Sequence, residues 1–439
     1  MVTAQPSVVI VSPHFPPSTV AGVHRARHLA KHLPAAGWNP IVLCVDEAFH
    51  TERIDPDLAR LTPACAELVK TGAAPARLMR RFGVGDLGLR AWPQLRRGLW
   101  RAASRPGVKA VLITGAPFYP MVFAPGVRRE LGLPVVLDFQ DPWVSAWGAA
   151  QPPLSKAGLT HRLAALLEPR ALRGASFVTS VSETQNQQLA ARYPWVDPAR
   201  MAAIPIGGDP DDFAALAAGR AAASPRIELE PDLIHLCYVG AYLPRAEPVM
   251  RTLFRAFARL RADAPALAAR IRFRFVGTSN QPVDGARPVV SPVAAEEGVA
   301  EAVRETPGRV PYLSALDLLT RADGVLLIGS DEPHYTASKI YPALMCGRPH
   351  LALFHAASSA HAILSAAGGG LAFAFDSVER LAGLEAPIAA GLARLAADPL
   401  SFPPPDPASY ADYLAPAIAR RFAAIFDQVS AEAPERPAR

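Results

Sequence analysis

The residues best suited to chemistry gather between Ser330 and Phe354, SDEPHYTASKIYPALMCGRPHLALF. Just before them, Gly324 to Gly329 (GVLLIG) has the length and composition of a buried strand. A helical pattern starts at about Ala337, Gly347 stops it, and a second apolar run begins at Pro349. In an open parallel sheet, ligands sit beyond the carboxyl ends of the strands. Backbone N–H groups at helix starts there favour phosphates. Ser338 and Lys339 stand at the start of this helix, where a hydroxyl and an ammonium would hold a diphosphate. Lys339 is one of five lysines in a chain whose positive charge is almost entirely arginine.

Two further places offer carboxylates. Asp138 and Asp141 lie at the carboxyl end of the apolar run Pro134 to Phe139, next to Trp143. There they would place an acid or base beside an apolar wall. The competing readings are a structural hydrogen bond to loop amides for Asp138 and a helix cap before Pro142 for Asp141. Asp209-Pro210-Asp211 has the Asp-x-Asp form of a divalent-metal site, but the Gly, Pro and Asp around it favour a turn.

These residues need a frame. Apolar runs at Ser7–Ser12, Pro40–Val45, Val108–Thr114, Pro134–Phe139, Ser176–Ser182 and Met201–Ile206 alternate with helical patterns, the first spanning Ala21–Leu33. Such alternation predicts a doubly wound parallel sheet. Ala214 to Pro231 is rich in Ala, Gly, Ser and Pro and reads as a linker. Strands then follow at Leu233–Val239, Ile271–Val276, Arg309–Tyr312, Gly324–Gly329 and Pro349–Phe354, with a helix capped by Ser314 among them. The expected domains are 1–215, a linker at 216–231, 232–400, and a tail at 401–439 that is Pro-rich and then helical.

The chain has 439 residues, half of them hydrophobic, which suits two domains with large cores and excludes a disordered chain. Cys44, Cys65, Cys237 and Cys346 form no metal-binding pair and read as thiols in a reducing compartment. The amino terminus lacks a signal-peptide pattern and no segment has the length of a membrane span, so a cytoplasmic location is expected. Residues 75–106 carry eight arginines against one acid, Asp86, interleaved with Trp92, Leu95, Leu99 and Trp100. This pattern fits either an anionic membrane surface or a solvated helix packing its apolar side on the domain. Nucleic acid is a weaker reading, because the aromatics are spaced for burial and not as a stacking platform.

From Ser7 to Phe426 the chain resembles the large family of GT-B glycosyltransferases that use nucleotide sugars without metal. In the amino half the likeness rests on VVIVSPHFPPSTVAGVHRARHLAKHL, ITGAPF, VVLDFQDPW, and VTSVSE followed by IPIGGDPDDF. In the carboxyl half it rests on YVGAYLPR and SKIYPALMCGRPHLAL. The resemblance implies an α/β fold of two Rossmann-like domains facing across a cleft, acceptor on the first and sugar nucleotide on the second, with the last helix returning to the first. It implies basic groups on the donor diphosphate, which Arg245 and Lys339 match. On that scheme Gly240, Tyr242, Glu332, Ser338 and Tyr341 are candidates for donor binding. His14, Gly22 and His24 are candidates on the acceptor side, which a glycan or lipid-linked acceptor would occupy. No cofactor or metal is implied.

Many relatives carry two glutamates eight positions apart in the donor loop, and here His334 and Pro342 stand in their places. Pro342 has no side-chain acceptor for a ribose and would delay the helix start to about Tyr341. Two other readings therefore stand beside the transferase: a catalytically inactive binding or scaffold subunit, and a sugar-nucleotide epimerase.

Overall fold

The computed structural model describes residues 5–62, 67–219, 226–279, 285–332 and 338–433. Two compact units emerge: Met1–Gly207 with Ala415–Arg439, and Gly208–Leu414.

The first unit is built on a parallel sheet of β1 (Ser7–Val11), β2 (Asn39–Val45), β3 (Glu67–Thr71), β4 (Val108–Gly115), β5 (Val135–Phe139), β6 (Phe177–Ser180) and β7 (Met201–Ala203). Its order is β3-β2-β1-β4-β5-β6-β7, so the winding reverses between β1 and β4. Successive side chains of a strand point to opposite faces, and both faces are covered. Val9 and Val11 of β1 enter one core with Leu95 and Leu99, whereas Val8 and Ile10 enter the other with Leu29 and Phe422. That second face is closed by the helices Val23–His32 and Ala415–Ala431. The carboxyl-terminal helix is pinned there by Trp38 Nε1, which donates to Asp427 at 3.0 Å, and by Arg421, which donates to the Ala203 carbonyl at 2.7 Å. Covered faces explain why these strands read as unbroken apolar runs.

The second unit repeats the plan with β8 (Ile234–Val239), β9 (Ile271–Val276), β10 (Val303–Thr306), β11 (Gly324–Ile328), β12 (His350–His355) and β13 (Gly370–Phe375). Its order is β10-β9-β8-β11-β12-β13, all parallel, with the reversal between β8 and β11. Helices Glu247–Asp263 and Glu385–Ala397 cover one face through Leu253, Phe257, Leu392 and Leu395. Each unit is therefore a Rossmann-like doubly wound sheet with its switch point beside its first strand.

Several expectations need correction. The unit boundary falls at 207/208, and Pro210–Ala217 is a helix of the second unit, so the proposed linker begins inside it; 220–225 lie outside the described residues. Residues 401–414 also join the second unit, and only the helix after them joins the first. Arg309–Tyr312 is not a strand; Val303–Thr306 takes that place. The next helix starts at Tyr312 behind Pro311, which leaves Ser314 inside it. Cys44, Cys237 and Cys346 are free thiols, and Cys65 lies outside the described residues.

Candidate functional site

The second unit places its chemistry at the carboxyl ends of β8 and β11. The chain leaves β8 through Gly240, whose φ of 127° lies in the region that side chains rarely adopt. A Cβ there would come 3.4 Å from Lys339 Nζ. The backbone conformation calls for glycine at 240, and Lys339 is its neighbour across the switch point. The Lys339 ammonium donates to Tyr238 Oη at 2.6 Å and stands 4.1 Å from the centre of that ring, a cation–π contact. Tyr238 in turn donates to the Ala241 carbonyl at 2.8 Å. Desolvation pushes the Lys339 pKa down to about 7.

The helix after this lysine is Ile340–Met345, only six residues long, with Lys339 as its amino-terminal cap. Ser338 and Lys339 thus lie in the turn ahead of it, and Ser338 is exposed. Pro342 falls within the first turn, where backbone N–H groups have no intrahelical partner, and so costs the helix little. A helix this short adds little to anion binding, so the attraction must come from the ammonium. Tyr341 is corrected: it is fully buried, its ring 5.8 Å from Tyr413, and presents nothing to a ligand. His334 lies outside the described residues.

Arg245 stands exposed in a turn after β8. Its Nε donates to Asp331 Oδ1 at 2.6 Å and its Nη1 to Glu332 Oε1 at 3.2 Å. Two of the candidates, Arg245 and Glu332, are thus brought together as an ion pair on the loop after β11. The Asp331 hydrogen bond raises the guanidinium pKa, so it stays charged. Exposed pairs of this kind are worth about 0–1 kcal/mol, so a phosphate can displace the carboxylates. The Arg245–Asp331 pair also lines a cavity of about 470 Å³ with Arg251 and Arg255. Tyr242 packs its ring on the domain core, and its amide donates to the Thr278 carbonyl at 2.9 Å.

A further residue here escaped sequence reasoning. Glu305, at the end of β10, accepts from Thr278 Oγ1 at 2.5 Å and from the amides of Val289, Val290 and Ser291. It fastens two points of the connection between β9 and β10 to the end of β10. An acid at a strand's carboxyl end, followed by Pro307, was the available signal.

In the first unit Asp138, expected as a candidate catalytic acid or base, is an internal anchor, though its partners are side chains and not loop amides. It is fully buried; Oδ2 accepts from Arg25 Nε at 3.1 Å and Thr114 Oγ1 at 2.9 Å, and Oδ1 from Thr179 Oγ1 at 2.8 Å. Arg25 is buried too and reaches on to the carbonyls of Ile204 and Pro205. One charge pair therefore ties the first helix to β5 and to the chain beyond β7. Asp141 is different. It reaches the surface one turn of chain later, yet the protein crowded around its carboxyl pushes its pKa up to about 6. Trp143 beside it stacks on Phe118 at 5.6 Å, which supplies the apolar wall. Asp209 accepts from the Asp211 amide at 3.1 Å and caps the helix that follows, so the Asp-x-Asp works as a turn.

Gly22 is the residue before helix Val23–His32, and a Cβ there would come 3.1 Å from Gln140 Oε1. Gln140 is held by Thr114 Oγ1, so Gly22, Gln140 and the Asp138 network form one packed group. His24 lies in the first turn of that helix with its Nδ1 3.3 Å from Arg27 Nη2. His14, on the loop after β1, meets Glu52 at 2.7 Å. Neither Glu52 nor His50 beside it was singled out from sequence.

Residues 75–106 form a short helix Ala76–Arg80, a turn, and the helix Trp92–Ala103. The longer helix buries Leu95, Leu99 and Ala102 and packs Trp92 and Trp100 on the core. Its apolar side is therefore spent within the domain. The large apolar side chains of this stretch that stand exposed are Leu78 (50%) and Phe82 (75%), among the exposed Arg77, Arg80 and Arg81.

With this geometry in hand, the comparisons with known proteins agree. Residues 21–207 match the family model described as glycosyl transferase 4-like domain. No curated protein sequence matches the chain. Among solved structures, HepE of Anabaena, in complex with UDP and glucose, superposes with a TM-score of 0.57 at 15% identity, covering 96% of this chain and 100% of that one. WaaG, described as a glycosyltransferase involved in lipopolysaccharide biosynthesis, gives 0.57 at 14% identity over 95% and 99% of the two chains. A UDP-forming trehalose-phosphate synthase of Burkholderia xenovorans gives 0.60 at 14% over 97% and 99%.

The two Rossmann-like domains have the GT-B fold of these glycosyltransferases. Within the first domain, residues 21–207 are similar to the glycosyl transferase 4-like domain.

Proposed function

We propose that the protein transfers a sugar from a nucleotide-sugar donor to a hydroxyl group of a glycan or lipid-linked acceptor, in cell-surface polysaccharide or glycolipid synthesis. The observation that carries this reading is the Lys339 ammonium at the switch point of the second sheet, beside a glycine that leaves room for it. A diphosphate seated against Gly240 would meet that ammonium, and Arg245 would exchange its carboxylates for phosphate oxygens. Both cations stabilise charge on the departing nucleotide, the work a metal does elsewhere. No metal enters this scheme. Glu332, released from Arg245, and Ser338 are left to contact the donor. The solved relative with UDP and glucose supports a nucleotide sugar as the ligand class.

On the acceptor side, Asp141 is the group to take a proton from the incoming hydroxyl, since a carboxyl with a pKa of about 6 is both ionised and basic near neutrality. The loops bearing His14, Gly22 and His24 would hold the rest of the acceptor. The exposed Arg77, Arg80, Arg81, Leu78 and Phe82 suit an anionic membrane surface, where positive charge and a few buried apolar side chains combine. Among the described residues, no helix is long and apolar enough to cross a membrane. A peripheral position on the cytoplasmic side is the reading that follows.

The test is release of nucleotide from a panel of sugar nucleotides in the presence of lipid-linked acceptors. Lys339→Ala should abolish turnover, and unchanged turnover would remove the assignment. A wild-type protein that binds none of the panel would point to a scaffold instead. Interconversion of the donor without acceptor would point to an epimerase.

A further inference from the structure

We propose that His14, His50 and Glu52 form a binding site for a divalent cation of the zinc class in the first domain. His14 comes from the loop after β1, and the other two from the segment after β2. His14 Nδ1 lies 2.7 Å and His50 Nδ1 3.2 Å from Glu52 Oε1, and all three ligand atoms fall within 4.8 Å of one another. Ligand atoms bound at about 2.0–2.1 Å to a tetrahedral zinc stand about 3.3 Å apart, and the two distances to Glu52 Oε1 approach that spacing from below.

The second observation is the placement of His50. Its side chain is 2% exposed, and its Nε2 lies 3.2 Å from the Val45 carbonyl oxygen, to which it donates. Its Nδ1 is buried and turned to Glu52 Oε1 at 3.2 Å. A cation seated between the two imidazoles and the carboxylate would satisfy all three. An imidazole whose far nitrogen donates to a backbone carbonyl is the usual arrangement of a metal-bound histidine. Ser18 Oγ, fully buried, donates to Glu52 Oε1 at 2.5 Å and fixes the carboxylate from behind.

Two imidazoles and one carboxylate suit zinc better than magnesium or calcium, which prefer all-oxygen sets. With three protein ligands a fourth position remains, on the side where His14 (16%) and Glu52 (20%) reach solvent. The ion would pin the loop after β1 to the chain beyond β2. The proposal does not rest on the transfer reaction: its donor-side groups, Lys339 and Arg245, are in the other unit, and His14 shares only the acceptor-side loop.

The full-length protein is stripped with a chelator, titrated with zinc chloride by calorimetry, and its metal counted after desalting. One equivalent is expected in the wild type, with affinity lowered about tenfold or more in His50→Ala and in Glu52→Gln. Cobalt(II) in place of zinc should give visible d–d absorption that His50→Ala loses. Circular dichroism checks that each variant is folded; should His50→Ala unfold, the isosteric Glu52→Gln carries the test. Substoichiometric zinc in the wild type overturns the proposal, as does equal retention in the variants. Metal content and nucleotide release are read independently, so the two readings fail separately.

Discussion

Donor binding should take up a proton, and Lys339 is the reason. Burial holds its pKa at about 7 when nothing negative lies against it. At pH 8 about nine-tenths of the free protein then carries a neutral amine, and at pH 6 about one-tenth. A bound diphosphate favours the ammonium, so binding should take up about 0.9 proton at pH 8 and about 0.1 at pH 6. UDP-glucose is the suitable probe, because its diphosphate diester does not titrate in this range. Calorimetry in two buffers of different ionisation enthalpy reads the uptake directly. Lys339→Met should erase it and weaken binding by about 2–5 kcal/mol, or about 30- to 5,000-fold. Stability follows with a definite sign. The folded state binds fewer protons at Lys339 than the unfolded chain between about pH 7 and lysine's ordinary value of 10.5, so its contribution to stability rises with pH across that window. The melting temperature of the ligand-free wild type should therefore climb relative to Lys339→Met between pH 7 and 9. Equal proton uptake by wild type and variant at pH 8 would refute the assignment of the titrating group.

Other outcomes are equally specific. Asp138→Ala leaves the Arg25 guanidinium buried without its carboxylate and should destabilise the protein by about 3–5 kcal/mol in denaturant melts; a loss under about 1 kcal/mol would mean the pair is not structural. Asp141→Asn should remove the acidic limb near pH 6 from the transfer rate profile while leaving UDP-glucose affinity unchanged, and a profile that keeps that limb would exclude Asp141 as the base. Replacing Arg77, Arg80 and Arg81 by Glu together with Phe82→Ser should abolish sedimentation with anionic vesicles, whereas Arg96→Glu and Arg97→Glu should weaken it less. The reverse ranking would move the contact to the longer helix.

The strand-rich frame was legible because both sheets are covered on both faces. Runs such as VKAVLIT and GVLLIG have no other use in a chain of this kind. β3 and β13 were not legible: ELVKT is a short, largely polar strand at a sheet edge with no period of two, and GLAFAF opens in a glycine run that reads as a stop. Lys339 could be found because lysine is rare here and follows a buried strand. The sense of Asp138 could not, since its role depends on Arg25, 113 positions away, and on Thr179 on the neighbouring strand. Separation in sequence also hid Glu52, which lies 38 positions from His14. A carboxylate that gathers His14, His50 and Ser18 looks, in one dimension, like a polar loop residue.

Pro342 shows how far the donor site can depart from the pattern it resembles. A proline in the first turn removes no intrahelical hydrogen bond, but it shortens the usable helix to six residues and takes away a side-chain acceptor. The contribution lost is a fractional positive charge at the helix end, screened within one turn. The contribution present is a whole charge on Lys339, desolvated enough to halve its protonation near neutral pH, with Tyr238 holding it by ring and hydroxyl. An amine in that state is poorly paired until an anion arrives, and then gains both its proton and its partner. On the proposed reading, such a site would bind a diphosphate by charge and leave recognition of the ribose to other groups.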